Sequence, residues 1–363
     1  MQNAAKEEMK MKEELEKRCN EYLADWEQVK AAFRWDHNDL YSVCANVFCA
    51  CGKEADAERL KACFQIIKKH SRLRSRFRSK KVRAILASML SIGEDPEARM
   101  AVANDSFRML KRKFKSTDYL VLTAFLLADL ADKPLTEEAA ERGKEIYGRM
   151  NQKHRFLTDK TDSVFAMLLA HTGKSPEELT DEVENCYQLL KQKFSQGGPV
   201  QTAAQVLCMA NGMPEEKTQR MIDLYDALLE AGVKYGHGEE IAPLAALSLS
   251  NTPIPVLVEE IGAADEFLKE QKACGIKEKE NEKRAVHAVM IVSNQYAGTD
   301  QVNVTVMTNT LDMLFAKQTA SRISFGMHVG QFLLEYLFGG KDQEKKSEPA
   351  EAETPDTEKQ KEQ

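Results

Sequence analysis

The sequence predicts an all-α protein: an array of about six or seven antiparallel helix hairpins forming a right-handed α-α superhelix, with a closed α/α toroid as the alternative. Three observations predict it. Apolar residues recur at steps of three and four along most of the chain, as one face of a helix requires. Prolines at Pro96, Pro134, Pro176, Pro214 and Pro253 mark hairpin tips and are separated by 38, 42, 38 and 39 residues. Aromatic residues near the middle of successive amphipathic helices, Phe64, Phe107, Tyr147, Tyr187, Tyr225 and Phe267, are separated by 43, 40, 40, 38 and 42 residues. Two unrelated markers with one period near 40 point to a repeated helix pair.

In chain order, residues 1–33 read as a helical arm. Leu15, Cys19, Tyr22, Trp26, Val29 and Phe33 share one helical face. The stretch from Phe33 to Asn38 breaks that pattern, with Asp36 or Asn38 placed to cap the next helix, which ends at Gly52. Residues 34–298 then carry the hairpins. The clearest is Ala203–Glu230, a small-residue helix, a Gly-x-Pro break and an amphipathic helix. At Ser175-Pro176-Glu177-Glu178 the start signals are complete: Ser as N-cap, Pro in the first turn and a glutamate to close a capping box. Gly173 and Gly212 are placed to end the preceding helices in the left-handed conformation. The first helices hold Ala124, Ala166, Ala170, Ala203, Ala204, Ala242, Ala245 and Ala246, and should form the crowded layer. The aromatics of the second helices should fill the wedge between repeats. Residues 299–340 read as capping helices, with Ile323–Phe338 closing the array or pairing with a second copy. Residues 341–363 have no aromatic residue and read as a disordered tail.

Composition narrows the function classes. Among 363 residues, 43% are hydrophobic and 30% charged, and the net charge of -6 names no partner by itself. No run of about 18 apolar residues is present, so no membrane span is expected. The first thirty residues are too charged for a signal peptide, and the eight cysteines lie in apolar helical patterns, so a cytoplasmic setting with reduced thiols is expected. Cys44, Cys49, Cys51 and Cys63 form a cluster, but Cys49-x-Cys51 on a helix points its thiols about 200° apart, and buried thiols are the expectation. No HExxH, P-loop, nucleophile elbow or dinucleotide glycine pattern is present, so no catalytic residue, metal or cofactor is assigned. His237, in a glycine-flanked turn, reads as a solvated loop histidine.

The unusual stretch is Lys68–Arg83, with nine Lys or Arg and no acid. Arg72, Arg74, Arg76, Arg78, Lys80 and Lys81 are candidate contacts for an anionic ligand or nucleic acid, with Phe77 available to stack and Trp35 as a further candidate. Weaker basic groups recur at Arg108–Lys115, Arg149–Arg155 and Lys191–Lys193, each near the end of a second helix. Paired acids stand at the helix starts, for example Glu137-Glu138, Glu177-Glu178 and Glu215-Glu216. Helix dipoles explain that alternation at about 0.3–1 kcal/mol per charge. They explain the density at 68–83 less well, since one helix end needs only two or three cations. The pattern predicts one acidic and one basic rim.

The Phe33-x-Trp35-Asp36 break followed by Ala-rich helix pairs of about forty residues resembles a family of bacterial helical proteins catalogued as domain of unknown function 4003, over roughly Tyr22 to Tyr296. The period lies in the range of HEAT-like repeats, although no repeat matches the HEAT, armadillo or TPR consensus. The resemblance implies an all-helical fold and a cytoplasmic bacterial setting, and brings no activity or ligand. The expectation is a non-enzymatic scaffold that binds a protein or peptide, or an anionic partner, through its concave face or basic rim. The alternative is an enzyme of the closed α/α toroid class with its site at the ring mouth.

Overall fold

Inner helices with apolar residues on every side, backed by amphipathic outer helices, give a two-layered ring. The computed structural model describes residues 2–296 apart from 35–37, 74, 80–81, 132–134, 159–161, 171, 173, 239 and 277–279. Fourteen α-helices lie among the described residues. The outer layer is α1 (Gln2–Ala32), α3 (Ala57–His70), α5 (Pro96–Lys113), α7 (Glu137–Lys153), α9 (Pro176–Lys191), α11 (Pro214–Glu230) and α13 (Ile254–Glu270). The inner layer is α2 (Asn38–Ala50), α4 (Arg83–Ile92), α6 (Asp118–Ala131), α8 (Asp162–Leu169), α10 (Gly197–Leu207), α12 (Ile241–Ser248) and α14 (Asn281–Tyr296).

The array closes on itself. Each outer helix packs on the next from α1 to α13, and α13 packs back on α1. The inner layer closes where α14 meets α2. Of the two curvatures the sequence left open, the contacts give the closed toroid, with seven helix pairs. The N-terminal segment is therefore the outer helix of the first pair: Leu15, Cys19, Tyr22, Trp26, Val29 and Phe33 are all buried. The hairpin register also differs from the sequence reading. Inner helix α10 packs more extensively on α9 than on α11, so the dominant pair is outer-then-inner. The Gly-x-Pro tip links one pair to the next.

Local signals act as the sequence indicates. Ser175 and Glu178 form the capping box, with Pro176 in the first turn. Asp56, Asp95 and Thr136 cap their helices by accepting from the N–H groups of Arg59, Ala98 and Ala139. Gly52 and Gly212 take positive φ, +58° and +119°, where the chain turns from inner to outer helix. The alanine-rich helices form the inner layer, and every residue of α8 and α12 is buried.

Five of the six outer aromatics fill the wedges against a ring that follows the preceding outer helix. Edge-to-face pairs form between Phe33 and Phe64, Phe77 and Phe107, Phe114 and Tyr147, and Phe194 and Tyr225, with centroids 5.0–6.2 Å apart. His154 takes that place against Tyr187 at 4.6 Å. Such pairs add about 0.5–1.5 kcal/mol each beyond area burial. A second ladder was not read from sequence. Arg59, Arg142 and Arg220 donate across to carbonyls that the next inner helix leaves unpaired at its C-terminal end. Arg220 reaches Ser248, Ser250 and Thr252, and Arg142 reaches Ala170, Thr172 and Lys174.

The cap expected over 299–340, including Ile323–Phe338 as a dimer surface, and the tail 341–363 lie outside the described residues. No helix among the described residues is long and apolar enough to cross a membrane.

Candidate docking face and seam cavity

The ring has two unlike faces. One carries the connections from outer to inner helix: residues 33–37, 71–82, 114–117, 154–161, 192–196, 231–240 and 271–280. The other carries the connections from inner to outer helix, all short. Among the described residues, the first set of segments contains nine Lys or Arg against two Asp or Glu, and the second contains two against four. The first face also receives the cationic C-terminal ends of the outer helices, and the inner-helix N-termini open toward it, adding partial positive charge.

Much of the basic stretch 68–83 has structural work. Lys68 and Arg83 stand over the Phe64 ring, 4.4 and 5.6 Å from its centroid. Lys69 pairs with Glu97 at 2.8 Å, and His70 meets the other oxygen of the same carboxylate. Those two hydrogen bonds, Lys69 first, hold the Glu97 carboxyl below the usual range. Arg78 folds back over the end of α3, donating to the carbonyls of Lys68 and Ser71 and to the Ser71 hydroxyl. Arg76 lies 3.4 Å from Asp118. Phe77 corrects the sequence reading. Its ring is 1% exposed and packs edge-to-face on Phe107, so no face is open for a base to stack. Arg72 is exposed and free of side-chain partners among the described residues. Arg74, Lys80, Lys81 and Trp35 lie outside the described residues.

The same division recurs around the ring. Lys113 pairs with Glu137 and Glu141, Lys153 with Asp181, and Lys193 with Asp226, each bridging adjacent outer helices. His154 repeats the role of His70, bonding Glu184 at 2.5 Å. His237 is exposed in its loop. Among the described residues, Arg72, Lys115 and Arg155 on this face are exposed and have no side-chain partner.

Two apolar residues stand out beside those cations. Leu73 is 83% exposed and Phe156 is 99% exposed. Each follows an arginine directly, three residues past the last residue of its outer helix, α3 or α7. Sequence reasoning passed over both. The available signal was a large apolar residue after a cation in a connection, off any helical stripe.

The opposite face holds a cavity of about 260 Å³ at the ring seam, lined by Arg18, Glu21, Tyr22, Cys49, Ala50, Gly52, Ile291 and Asn294. Around it the closing contacts are polar. Tyr22 and His287 share a 2.7 Å hydrogen bond, Asn294 donates to Asn46 at 2.8 Å, and Tyr296 donates to Glu260 at 2.6 Å. Asp25 accepts from the Ala55 N–H at 2.8 Å and from the Cys49 thiol at 3.4 Å. Burial pushes the Asp25 carboxyl up to about 6, and the Cys49 thiol well up as well. A thiol held protonated is a poor nucleophile and metal ligand. No disulfide joins any of the eight cysteines, and no group of three or more His, Cys, Asp or Glu among the described residues is arranged to hold a metal ion.

Residues 25–320 match the model of a family described as protein of unknown function (DUF4003). The chain belongs to the DUF4003 family. It is also similar to the uncharacterized protein YeaA of Bacillus subtilis (strain 168), with 24% identity over 248 residues, covering 66% of this chain and 74% of that protein. No solved structure matches it. The DUF4003 match begins in α1 and runs past α14, so it takes in the helices on both sides of the seam.

Proposed function

We propose that this DUF4003 protein is a non-enzymatic, cytoplasmic scaffold whose working surface is the cationic loop face, where it docks an anionic partner. The observation that carries this is the charge asymmetry of the connections, nine cations to two acids on one face against two to four on the other among the described residues. The sequence reading also allowed a peptide groove on a concave face. In the closed ring α8 and α12 are buried throughout and α4 is buried from Ala84 to Ser91, which favours the rim over the groove. The placement of the cysteines in apolar helical patterns supports a reducing compartment.

The test is retention on heparin and on poly-L-glutamate across a salt series. Retention should fall steeply with salt and should drop when Arg72, Lys115 and Arg155 are all changed to Glu. Retention on neither polyanion at low salt, or retention unaltered by the triple change, overturns the proposal.

A second reading, an enzyme with its site at the ring mouth, is favoured by ring closure and by the seam cavity, with Asp25 behind it at about 6. It predicts small molecules that raise the melting temperature of the wild type and not of an Ile291→Trp variant. A metabolite panel giving no such difference counts against it.

A further inference from the structure

The loop face carries more than charge, and the extra feature narrows the partner. Among the described residues, the large apolar side chains left exposed are Leu73, Phe156, Met213 and Leu229. The two most exposed, Leu73 and Phe156, both lie on the cationic face, in the connections leaving α3 and α7. The intervening connection, leaving α5, presents Lys115. Arg72 and Arg155 immediately precede the apolar tips, and both are exposed. His70 and His154, each clamped to an acid of the next outer helix, fix where the two tips leave the ring.

We propose that this arc of the loop face docks on an anionic lipid bilayer, with Leu73 and Phe156 entering the interface and the flanking cations meeting the headgroups. The inference rests on the loop-face reading above. Three features favour lipid over another polyanion. A nucleic acid would use cations and an open aromatic face, yet Phe77 is buried, and an exposed leucine adds nothing to phosphate contact. A protein partner would ordinarily fill a concave surface or cover a continuous patch, whereas these are two separate tips. Isolated apolar tips ringed by cations match a surface with an apolar interior and anionic headgroups. No helix among the described residues is long and apolar enough to span, so the attachment is peripheral.

The experiment is co-sedimentation of the full chain with large vesicles of phosphatidylcholine containing 30% phosphatidylserine, beside vesicles of phosphatidylcholine alone. Binding is expected only with phosphatidylserine and should weaken with salt. Arg72→Gln or Arg155→Gln should each lower the partition coefficient roughly fivefold. Leu73→Ser with Phe156→Ser should lower it by tenfold or more. Both tips are exposed, so these variants should keep the wild-type circular dichroism. Separately, tryptophan emission from Phe156→Trp should shift to the blue with vesicles and be quenched by brominated acyl chains. Retention on heparin or polyglutamate without vesicle binding overturns the membrane inference and leaves the anionic-partner reading standing. Failure with all three probes overturns both. Vesicle binding that the double serine variant retains overturns the insertion of the two tips.

Discussion

Two glycines one and a half turns apart on α7 should respond to alanine with opposite signs. An interior helical glycine costs about 1 kcal/mol relative to alanine through backbone entropy. At Gly148 an added Cβ meets nothing within 4 Å, so Gly148→Ala should recover most of that, about 0.5–1 kcal/mol. At Gly143 the same atom would overlap the Met167 sulfur and come within 3.3 Å of the Met167 Cα. Met167 is wholly buried in α8, so the sulfur has little room to swing aside, and the Cα belongs to a packed inner helix. Overpacking of that kind costs about 1–3 kcal/mol. It should outweigh the propensity gain and leave Gly143→Ala destabilised by up to about 2 kcal/mol. Urea denaturation reads both changes as shifts in midpoint at an unaltered slope. If Gly143→Ala is as stable as Gly148→Ala, the close approach of the outer to the inner layer at α7–α8 is not the constraint argued.

Three further outcomes test the frame. Arg220→Met should cost about 2–4 kcal/mol by stranding the carbonyls of Ser248, Ser250 and Thr252, and urea midpoints should show Arg220→Lys recovering only part of it. Phe194→Ala should cost about 3–5 kcal/mol in the same assay, since its 2% exposed ring packs edge-to-face on Tyr225 at 5.0 Å. Asp25 has a folded pKa raised by burial from 3.8 to about 6, so the folded state holds the extra proton and its contribution to stability falls as pH rises from about 4 to 6. His287 is pushed well below 6.5 by burial, so its contribution falls as pH drops below that value; Asp25→Asn should therefore make the acid side of a pH–stability curve steeper, and a curve parallel to wild type would refute the assignment.

How much of this was legible beforehand depends on the range of the interaction. Pro176, Ser175 and Glu178 act within one turn, and their roles follow from residue type and spacing. The aromatic period was legible because five successive wedges hold a ring at the same place. Its partner was not, since Phe77, Phe114, His154 and Phe194 sit in connections without helical spacing. Ring closure was out of reach. It depends on Tyr22 meeting His287, 265 residues away, and on small rotations accumulated over seven pairs. The arginine ladder was hidden for a similar reason: Arg142 and Arg220 look like ordinary surface cations until the carbonyls they serve are known.

Closure also redistributes the meaning of the charges. In an open array, the paired acids and clustered cations at helix ends explain one another through the helix dipoles alone. In the ring, Lys69, Lys113, Lys153 and Lys193 are committed to bridging neighbouring outer helices, and Arg78 to finishing α3. Among the described residues, Arg72 and Arg155 are left without a side-chain partner, and each stands next to an apolar residue that the fold has left in water. A lone exposed leucine is ordinary. A leucine and a phenylalanine at the same place in two connections, each behind a free arginine on the more cationic face, are not explained by folding. The argument for a docking surface rests on that remainder rather than on the density of charge that first drew attention to residues 68–83.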